Sequence, residues 1–336
     1  MEIILEAENL TKKFPVEMGI FGARGGSFIH AVDKVSFSIR KGETFGIVGE
    51  SGCGKTTVAR LILKLLNPTE GTIHYSGEDI FSKKFHTAQM RRRVQLIFQD
   101  PYSSLNPRMT VYDIIGEALD IHKLVWGIAK KERILELMEI VGLAPFHLYR
   151  YPHEFSGGQR QRIVIARALA VEPEILIMDE PVSALDVSVR AQVLNLLEDL
   201  QNKFDLTYIF ISHDLSVVRH ICDRVAVMYV GKIVESGDVN DLFDDPQHPY
   251  SEALIAAVPV PDPLARKERE ILRGEVPTPI DPPSYCRFAV RCKYAQEICT
   301  REEPPLLKIR TEHQVACFYP KELRGTDKVP FGVEKL

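Results

Sequence analysis

The sequence has no long apolar run, no basic leader and no excess of positive charge, and each absence excludes a class of protein. No stretch of its 336 residues approaches the ~18 consecutive apolar residues of a membrane-spanning helix. The first residues carry acids, at Glu2, Glu6 and Glu8, where a signal peptide would carry positive charge. The formal net charge of −4 gives no electrostatic reason to expect nucleic acid as the main partner. We therefore expect a cytoplasmic chain that, if it acts at a membrane, relies on other subunits to span it.

The composition is that of an ordinary globular protein with two domains. Apolar residues make up 45% and charged residues 26%, which suffices for a sizeable core. Eleven of the 21 prolines follow residue 258, so the tail is not expected to continue the pattern of alternating strands and helices. We expect one domain over residues 1–257 and a second over 258–336.

The stretch GESGCGKTT at residues 49–57 fits the phosphate-binding pattern G-x-x-x-x-G-K-[ST]. A buried strand is predicted before it, over Thr44–Val48, and an amphipathic helix after it, over Thr57–Leu66, which is the context that the motif requires. The glycines let consecutive N–H groups point at one anion, and the helix N-terminus adds partial positive charge. Lys55 would reach the β- and γ-phosphates, and the Thr56 hydroxyl would bind Mg²⁺. The candidate nucleotide contacts of the loop are Gly49, Ser51, Gly52, Cys53, Gly54, Lys55, Thr56 and Thr57.

Polar side chains lie at the end of, or directly after, three further predicted strands. These strands cover residues 94–98, 174–179 and 206–212, and the side chains are Gln99, Asp179, Glu180 and His213. Ligands of open α/β sheets bind at the C-terminal strand ends, which favours a functional role for all four. Asp179 would hold Mg²⁺, and Glu180 would polarise an attacking water. In isolation, an acidic pair can equally cap a helix, and a lone Gln or His is usually structural.

Residues 100–155 read as a mostly helical insertion, with prolines around helical patterns at about 110–122 and 130–142. Ser156 then predicts the N-cap of a helix that runs to about Ala170. Its hydroxyl and the N–H groups of the helix start can bind an anion, although a capped helix after a flexible turn is the alternative. The residues concerned are Ser156, Gly157, Gly158 and Gln159.

Phe14 is a candidate for stacking on a nucleotide base, and a core or hinge role is the alternative. Phe28 is a weaker candidate for the same role. Four glycines between residues 18 and 27 predict a loop insertion that separates Phe14 from the phosphate loop.

Four of the six cysteines cluster in the tail with the spacing C-x5-C-x6-C-x17-C, at Cys286, Cys292, Cys299 and Cys317. Disulfides conflict with a reducing compartment. A structural zinc site commonly uses a C-x2-4-C pair, which these spacings lack. A [4Fe–4S] cluster uses four thiolates, but the spacing matches none of the ferredoxin patterns. The residues alone leave these three interpretations open, and His313 could replace a ligand in either metal site.

These motifs, in this order, resemble those of the ATP-binding cassette (ABC) ATPases over residues 1–257. The matching segments are residues 49–56 (Walker A), Gln99 (Q-loop), 156–159 (signature, after Phe155 where Leu is commoner), Asp179 and Glu180 (Walker B), 183–186 (D-loop) and His213 (switch).

The resemblance implies an α/β P-loop fold with a mixed sheet core, an N-terminal antiparallel β region and a helical subdomain at about 100–165. It implies that Glu180, His213, Gln99 and Lys55 serve ATP hydrolysis, with Mg²⁺ at Thr56, Gln99 and Asp179. It also implies that two cassettes enclose ATP head to tail, so that 156–158 of one subunit face the γ-phosphate held by the other.

The segment QDPYSSLNPR at 99–108 and the cysteine-bearing tail resemble the oligopeptide/dipeptide importer branch. This resemblance implies a small metal-binding C-terminal domain with a [4Fe–4S] cluster, zinc being the alternative. It implies a peripheral ATPase on the cytoplasmic face of the membrane that docks on two permease subunits and is fed by an external solute-binding protein. A second ATPase subunit would complete the pair, and the N-terminal loop and residues 99–108 look most like the F-type member.

Other functions remain as alternatives. A soluble cassette ATPase of DNA repair usually needs long coiled coils, and no sustained heptad occurs. A translation-factor cassette usually carries two sets of motifs. A redox-sensing subunit with poor hydrolysis conflicts with the presence of Glu180 and His213. The sequence does not separate the import of peptides from that of nickel or sugars.

Overall fold

The computed structural model describes residues 2–16, 26–258, 274 and 277–324. The strands are β1 (Ile3–Pro15), β2 (Phe28–Arg40), β3 (Thr44–Val48), β4 (Glu70–Tyr75), β5 (Glu78–Asp79), β6 (Val94–Ile97), β7 (Ile175–Asp179), β8 (Thr207–Ser212), β9 (Arg224–Tyr229), β10 (Lys232–Asp238), β11 (Leu307–Arg310) and β12 (His313–Val315). The α-helices are α1 (Lys55–Ile62), α2 (Thr87–Arg93), α3 (Pro101–Ser104), α4 (Val111–Ile121), α5 (Gly127–Ile140), α6 (Gly157–Leu169), α7 (Val187–Phe204), α8 (Leu215–Ile221), α9 (Val239–Asp244) and α10 (Pro249–Ala256). Short 3-10 helices occupy Pro145–His147, Pro152–Glu154, Ala289–Arg291, Glu297–Thr300 and Lys321–Leu323.

The chain divides into two compact units, each assembled from separate segments. The first comprises Met1–Glu2, Arg40–Thr44 and Ser82–Ile211, and the second comprises Ile3–Ile39, Phe45–Phe81 and Ser212–Leu336. No helix within the described ranges is both long enough and apolar enough to cross a bilayer.

The first unit contains the parallel strands β8, β7 and β6 and the predicted helical insertion. β7 lies between the other two, in a register that pairs Met178 with Ile97 and with Phe210. The strands are apolar along most of their length, as expected of parallel strands with both faces covered. The helical patterns predicted at about 110–122 and 130–142 are confirmed as α4 and α5.

The second unit contains an antiparallel N-terminal sheet and a mixed sheet. The antiparallel sheet has the order β2-β1-β4-β5, which confirms the predicted N-terminal β region. In the mixed sheet, β3 pairs parallel with β9, and β9 pairs antiparallel with β10. β9 and β10 therefore form a hairpin, with Gly231 in the turn at φ 81°.

The C-terminal tail adds strands to this mixed sheet. β12 pairs antiparallel with β10, and β11 pairs antiparallel with β12. As predicted, the described part of the tail does not repeat the alternation of strand and helix, but the sequence did not predict that a tail hairpin extends the sheet.

Two element boundaries differ from the prediction. The helix after the phosphate loop begins at Lys55, inside the motif, because Gly54 turns the chain in a left-handed conformation with φ 114°. It ends at Ile62, four residues earlier than predicted, and Lys64 soon follows with a left-handed φ of 55°. Asp186 occupies the N-cap position of α7, and its side chain makes no capping hydrogen bond.

Candidate functional site

The phosphate loop of the second unit has a backbone path that only glycine permits at two positions. Gly49 has φ 150°, and a Cβ there would lie 2.2 Å from the Met228 carbonyl oxygen. Gly54 has φ 114°, and a Cβ there would lie 2.1 Å from the Ala31 carbonyl oxygen. Real Cβ contacts are essentially never below 3.0 Å, so both glycines are required by the close approach of neighbouring backbone. The pattern of the motif therefore has a steric cause in this fold.

Lys55 and the start of α1 supply the positive end of the loop. The Lys55 side chain is buried, and its Nζ donates to the carbonyl oxygens of Gly49, at 2.8 Å, and Glu50, at 3.1 Å. No side chain caps the N-terminus of α1, which leaves its first N–H groups without a side-chain acceptor. Thr56 is exposed at this end, where its hydroxyl can reach a metal ion bound to phosphate. Ser51 and Gly52 are also exposed, whereas Cys53 is buried and its pKa is raised by burial.

In the first unit, the C-terminal ends of β6 and β7 bring Gln99 and Glu180 together. The Gln99 amide Nε2 donates to the Glu180 carboxylate Oε2 at 2.8 Å. Glu180 has a left-handed φ of 51°, which is uncommon for a residue other than glycine, and its N–H donates to the Ile211 carbonyl oxygen at 2.9 Å. Such backbone strain is concentrated at functional sites. The arrangement directs the carboxylate to the end of the parallel strands, where the sequence predicted it.

Asp179 lies one residue before Glu180, opposite Ile211 of β8 in the parallel register. It is half-buried, whereas the preceding residues of β7 are buried. A half-buried carboxylate at this point supplies the oxygen ligand that Mg²⁺ takes in proteins.

Ser156 caps α6 as predicted. Its hydroxyl accepts from the Gln159 N–H at 3.3 Å, and its own N–H donates to the Gln159 side-chain oxygen at 3.1 Å. These two bonds form a reciprocal capping box. Gly158 has a second role that the sequence did not predict, because a Cβ there would lie 2.3 Å from Val189 Cγ1 of α7. The signature glycine therefore also allows α6 to approach α7 closely.

The remaining predicted contacts lie in the second unit. His213 is exposed directly after β8, at the strand end where it was expected. Phe14 is half-buried in β1, with the Lys12 ammonium 5.2 Å from its ring centroid. Phe28 is 41% exposed at the start of β2, and its N–H donates to Asp281. The loop predicted at 18–27 falls mostly outside the described residues.

The four clustered cysteines line one pocket of the second unit. Aromatic and apolar side chains complete the lining, among them Phe288, Tyr294 and Tyr319. None of the six cysteines forms a disulfide. Across the described ranges, no group of three or more His, Cys, Asp or Glu side chains is arranged to hold a metal ion. Burial raises the pKa of Cys286 to about 12 and also raises those of Cys292 and Cys317.

His313 is not available as a ligand, which corrects the suggestion made from its position in the sequence. Its side chain is fully buried, and its Nε2 lies 2.8 Å from Oε1 of Glu235, which is also fully buried. Glu235 also accepts from the N–H groups of Gln247, at 2.7 Å, and His248, at 2.9 Å. His313 is thus part of a buried hydrogen-bond network between β10, β12 and the segment before α10.

Residues that the sequence analysis did not single out also hold the phosphate loop. The Glu50 N–H donates to the Tyr250 hydroxyl, and the Glu50 carboxylate binds Arg291. These partners are 200 and 241 residues away in the chain, so no local pattern could have indicated them.

Comparison with known proteins agrees with these motifs. The sequence model of the ABC transporter family matches residues 32–183, and that of the oligopeptide/dipeptide transporter C-terminal region matches residues 234–299. The oligopeptide transport ATP-binding protein AppF of Bacillus subtilis is 51% identical over 320 residues, covering 94% of this chain and 97% of the relative. A probable peptide ABC transporter ATP-binding protein of Sinorhizobium fredii is 50% identical over 317 residues, covering 94% of this chain and 90% of the relative.

Solved structures with a similar fold are also ABC proteins. A dimeric ATP-binding cassette in a post-hydrolysis state, bound to ADP and phosphate, matches with a TM-score of 0.61 and 29% identity, covering 70% of this chain and 98% of that one. CbiO1 of Clostridium perfringens, part of an ABC transporter complex, matches with a TM-score of 0.61 and 27% identity, covering 73% and 92%. The chain therefore belongs to the ATPases of the ABC transporter family, in the branch that carries the oligopeptide/dipeptide transporter C-terminal region.

Proposed function

We propose that this chain is the ATP-hydrolysing subunit that powers an importer of dipeptides and oligopeptides. The observation that carries the proposal is the 51% identity, over nearly the whole chain, to a protein named as an oligopeptide transport ATP-binding protein. The match of the C-terminal region supports the same branch.

The proposed assembly places the chain on the cytoplasmic face of the membrane as a peripheral subunit. It docks on two permease subunits, receives solute through an external solute-binding protein, and pairs with a second ATPase subunit. We propose that it is the F-type member of that pair, which the name of the AppF relative supports. The nucleotide-binding domain would span residues 1–257, and the C-terminal domain residues 258–336.

In the proposed mechanism, the phosphate loop binds the β- and γ-phosphates of ATP. The N–H groups of the loop and the α1 start donate to phosphate oxygens, and Lys55 adds a compact charge. The exposed Thr56 hydroxyl and the half-buried Asp179 carboxylate have the oxygen chemistry that Mg²⁺ requires, and Gln99 would join them. The metal would neutralise charge that develops on the transferred phosphoryl group.

Glu180 orients and polarises the attacking water in this mechanism. Its hydrogen bond with Gln99, at 2.8 Å, supports a role for Gln99 in holding the carboxylate. His213 would donate to the γ-phosphate. The 156–159 segment would contact the γ-phosphate of ATP held by the partner ATPase, which makes each site complete only in the closed pair. Phe14 would stack on the adenine base.

We also propose that Cys286, Cys292, Cys299 and Cys317 bind a [4Fe–4S] cluster, as the family resemblance implies. Four thiols on one pocket provide the donor set of such a cluster. A single zinc ion would need all four sulfur atoms at about 2.3 Å from it. Zinc at the same four thiols is the alternative. Binding would convert neutral thiols into thiolates and so release protons.

Import of another solute, such as nickel or a sugar, is the alternative, and a soluble cassette ATPase without a transport role is a more distant one. Reconstitution in proteoliposomes with the two permease subunits, the second ATPase and the solute-binding protein would decide. We expect ATPase activity and uptake that are stimulated by dipeptides or oligopeptides and abolished by Glu180→Gln. Stimulation by nickel or a sugar but not by peptides would overturn the peptide assignment, and activity unaffected by the permease would overturn the transport role.

The cluster is tested by anaerobic absorption spectroscopy with iron, sulfide and zinc quantified on the same sample. About four irons and four sulfides per chain, with a shoulder near ~400 nm, are expected. About one zinc without iron would replace the cluster by a structural zinc site and leave the ATPase proposal intact.

A further inference from the structure

The part of the tail that carries the four clustered cysteines, residues 286–317, is called the cysteine region below. Arg291 of this region contacts the phosphate loop. It is the last residue of the 3-10 helix Ala289–Arg291 and immediately precedes Cys292. Its Nη1 donates to Glu50 Oε2 at 2.8 Å, and its Nη2 donates to Glu50 Oε1 at 3.1 Å. Glu50 follows Gly49 in the phosphate loop, so this two-point pair joins the tail to the motif itself. A planar guanidinium fixes both the position and the rotation of a carboxylate in such a pair.

The pair is partly shielded from water, more at Arg291 than at Glu50. The Arg291 side chain is 5% exposed and the Glu50 side chain 25% exposed, both in the second unit. An unpaired carboxylate at this point would add negative charge to a loop that binds a negative triphosphate. Arg291 compensates that charge, and removing it would leave a partly buried acid without its main partner.

A second contact from outside the motif holds the Glu50 backbone. The Glu50 N–H donates to the Tyr250 hydroxyl at 2.9 Å, and Tyr250 is fully buried. The Tyr250 ring lies 4.6 Å from that of Tyr229 and 5.6 Å from that of Phe288, centroid to centroid. Phe288 lines the cysteine pocket, so this aromatic group connects the pocket to the loop.

The Glu50 carbonyl completes the set, since it accepts from Lys55 Nζ at 3.1 Å and from the Cys53 N–H at 3.3 Å. All three polar groups of Glu50 are therefore bound. Its carboxylate depends on Arg291 of the tail, its N–H depends on Tyr250 of α10, and its carbonyl holds the lysine that the nucleotide needs. A shift of Glu50 would change the position of Lys55.

We propose that Arg291 is a positioning residue for ATP, which fixes Glu50, compensates its charge and thereby makes nucleotide affinity depend on the conformation of the cysteine region. Arg291 acts through Glu50 and does not touch the nucleotide. The inference rests on the proposed function, since it assumes that the phosphate loop binds ATP.

The test measures the affinity of the full-length chain for a fluorescent ATP analogue with Mg²⁺, together with KM and kcat in the assembled transporter. We expect Arg291→Ala to weaken binding about tenfold, the effect of losing one strongly coupled contact. Arg291→Lys, which keeps the charge but not the fork, should weaken it about threefold. KM should rise while kcat changes less than twofold. The matched control is Arg310→Ala, which removes an ion pair between the tail and Asp245 and should leave the affinity unchanged.

A double-mutant cycle separates positioning from a general loss of structure. If Arg291 acts through Glu50, Arg291→Ala combined with Glu50→Ala should bind ATP no more weakly than Arg291→Ala alone. Fully additive losses, or equal affinities of Arg291→Ala and Arg310→Ala, would overturn the proposal.

If Arg291→Ala does not fold, Tyr250→Phe tests the same connection, because it removes only the hydroxyl that accepts the Glu50 N–H. We expect about threefold weaker binding, and unchanged binding would reject the coupling.

Lys55→Ala, measured in parallel, distinguishes the role of Arg291 from the nucleotide-binding role of the phosphate loop. Loss of binding in Lys55→Ala with none in Arg291→Ala rejects only the role of Arg291. Normal binding in Lys55→Ala rejects the nucleotide-binding role of the loop itself.

Discussion

The substitution Gly54→Ala tests whether the phosphate loop depends on a backbone path that only glycine permits. The new Cβ would lie 2.1 Å from the Ala31 carbonyl oxygen, and it needs at least 3.0 Å, so the loop or β2 must move by about 0.9 Å. A φ of 114° is also strained for any residue with a side chain. Backbone strain costs about 1–3 kcal/mol, and overpacking costs a further 1–3 kcal/mol. We therefore expect the free energy of unfolding to fall by about 2–6 kcal/mol.

Gly52→Ala is the matched control within the same loop. Gly52 also has a positive φ, of 79°, but a Cβ there would meet no atom within 4 Å. Its strain of about 1–2 kcal/mol is partly offset by the lower entropy of the unfolded chain, which leaves a net loss of about 1 kcal/mol. The difference between the two variants isolates the steric clash with Ala31.

Urea unfolding, followed by circular dichroism, measures both losses, and binding of a fluorescent ATP analogue provides a second readout. We expect Gly54→Ala to bind ATP at least about tenfold more weakly than Gly52→Ala, because a displacement of this size misplaces the donor groups. If Gly54→Ala is no less stable than Gly52→Ala, the steric explanation of the motif is wrong.

Three further predictions address catalysis, the buried network and acid stability. Glu180→Gln should keep ATP binding but lose turnover and trap the closed ATPase pair, and near-normal turnover in an ATPase assay would reject the role of Glu180. Glu235→Ala should lower the free energy of unfolding by about 3–5 kcal/mol because it removes a fully buried acid with three partners. The exposed acid Glu297, changed to Ala, is its control and should cost under about 1 kcal/mol. Lys321 and Arg310 lower the pKa of the Asp245 carboxyl below its ordinary 3.8, so its contribution is present above that pH and is lost as the pH falls through the lower folded value. The stability difference between the wild type and Asp245→Asn in urea titrations should therefore be present at pH 7 and shrink below about pH 3.8, and a difference that does not change with pH would contradict this.

The sequence by itself determined the local structure and the chemistry of each motif. The sequence predicted the Ser156 cap, the buried strand before the phosphate loop and the polar residues at the ends of the parallel strands. These features were predictable because capping, alternation and apolar runs act over a few residues. The sequence pattern of the motif also predicted that glycine is required at positions 49 and 54. The cause of this requirement, the close approach of the Ala31 and Met228 carbonyl oxygens, was not predictable from the pattern.

The tertiary structure decided which distant residues meet. His313 looked like a possible metal ligand but is buried against Glu235, and Gly158 looked like part of an anion site but also lets α6 pack on α7. The binding of Glu50 by Tyr250 and Arg291 joins segments separated by 200 and 241 residues. Such contacts have no local signal, because they depend on how sheets and helices pack after the chain has closed long loops. Short-range sterics and hydrogen bonding thus fixed the motifs, and long-range packing fixed what holds them in place.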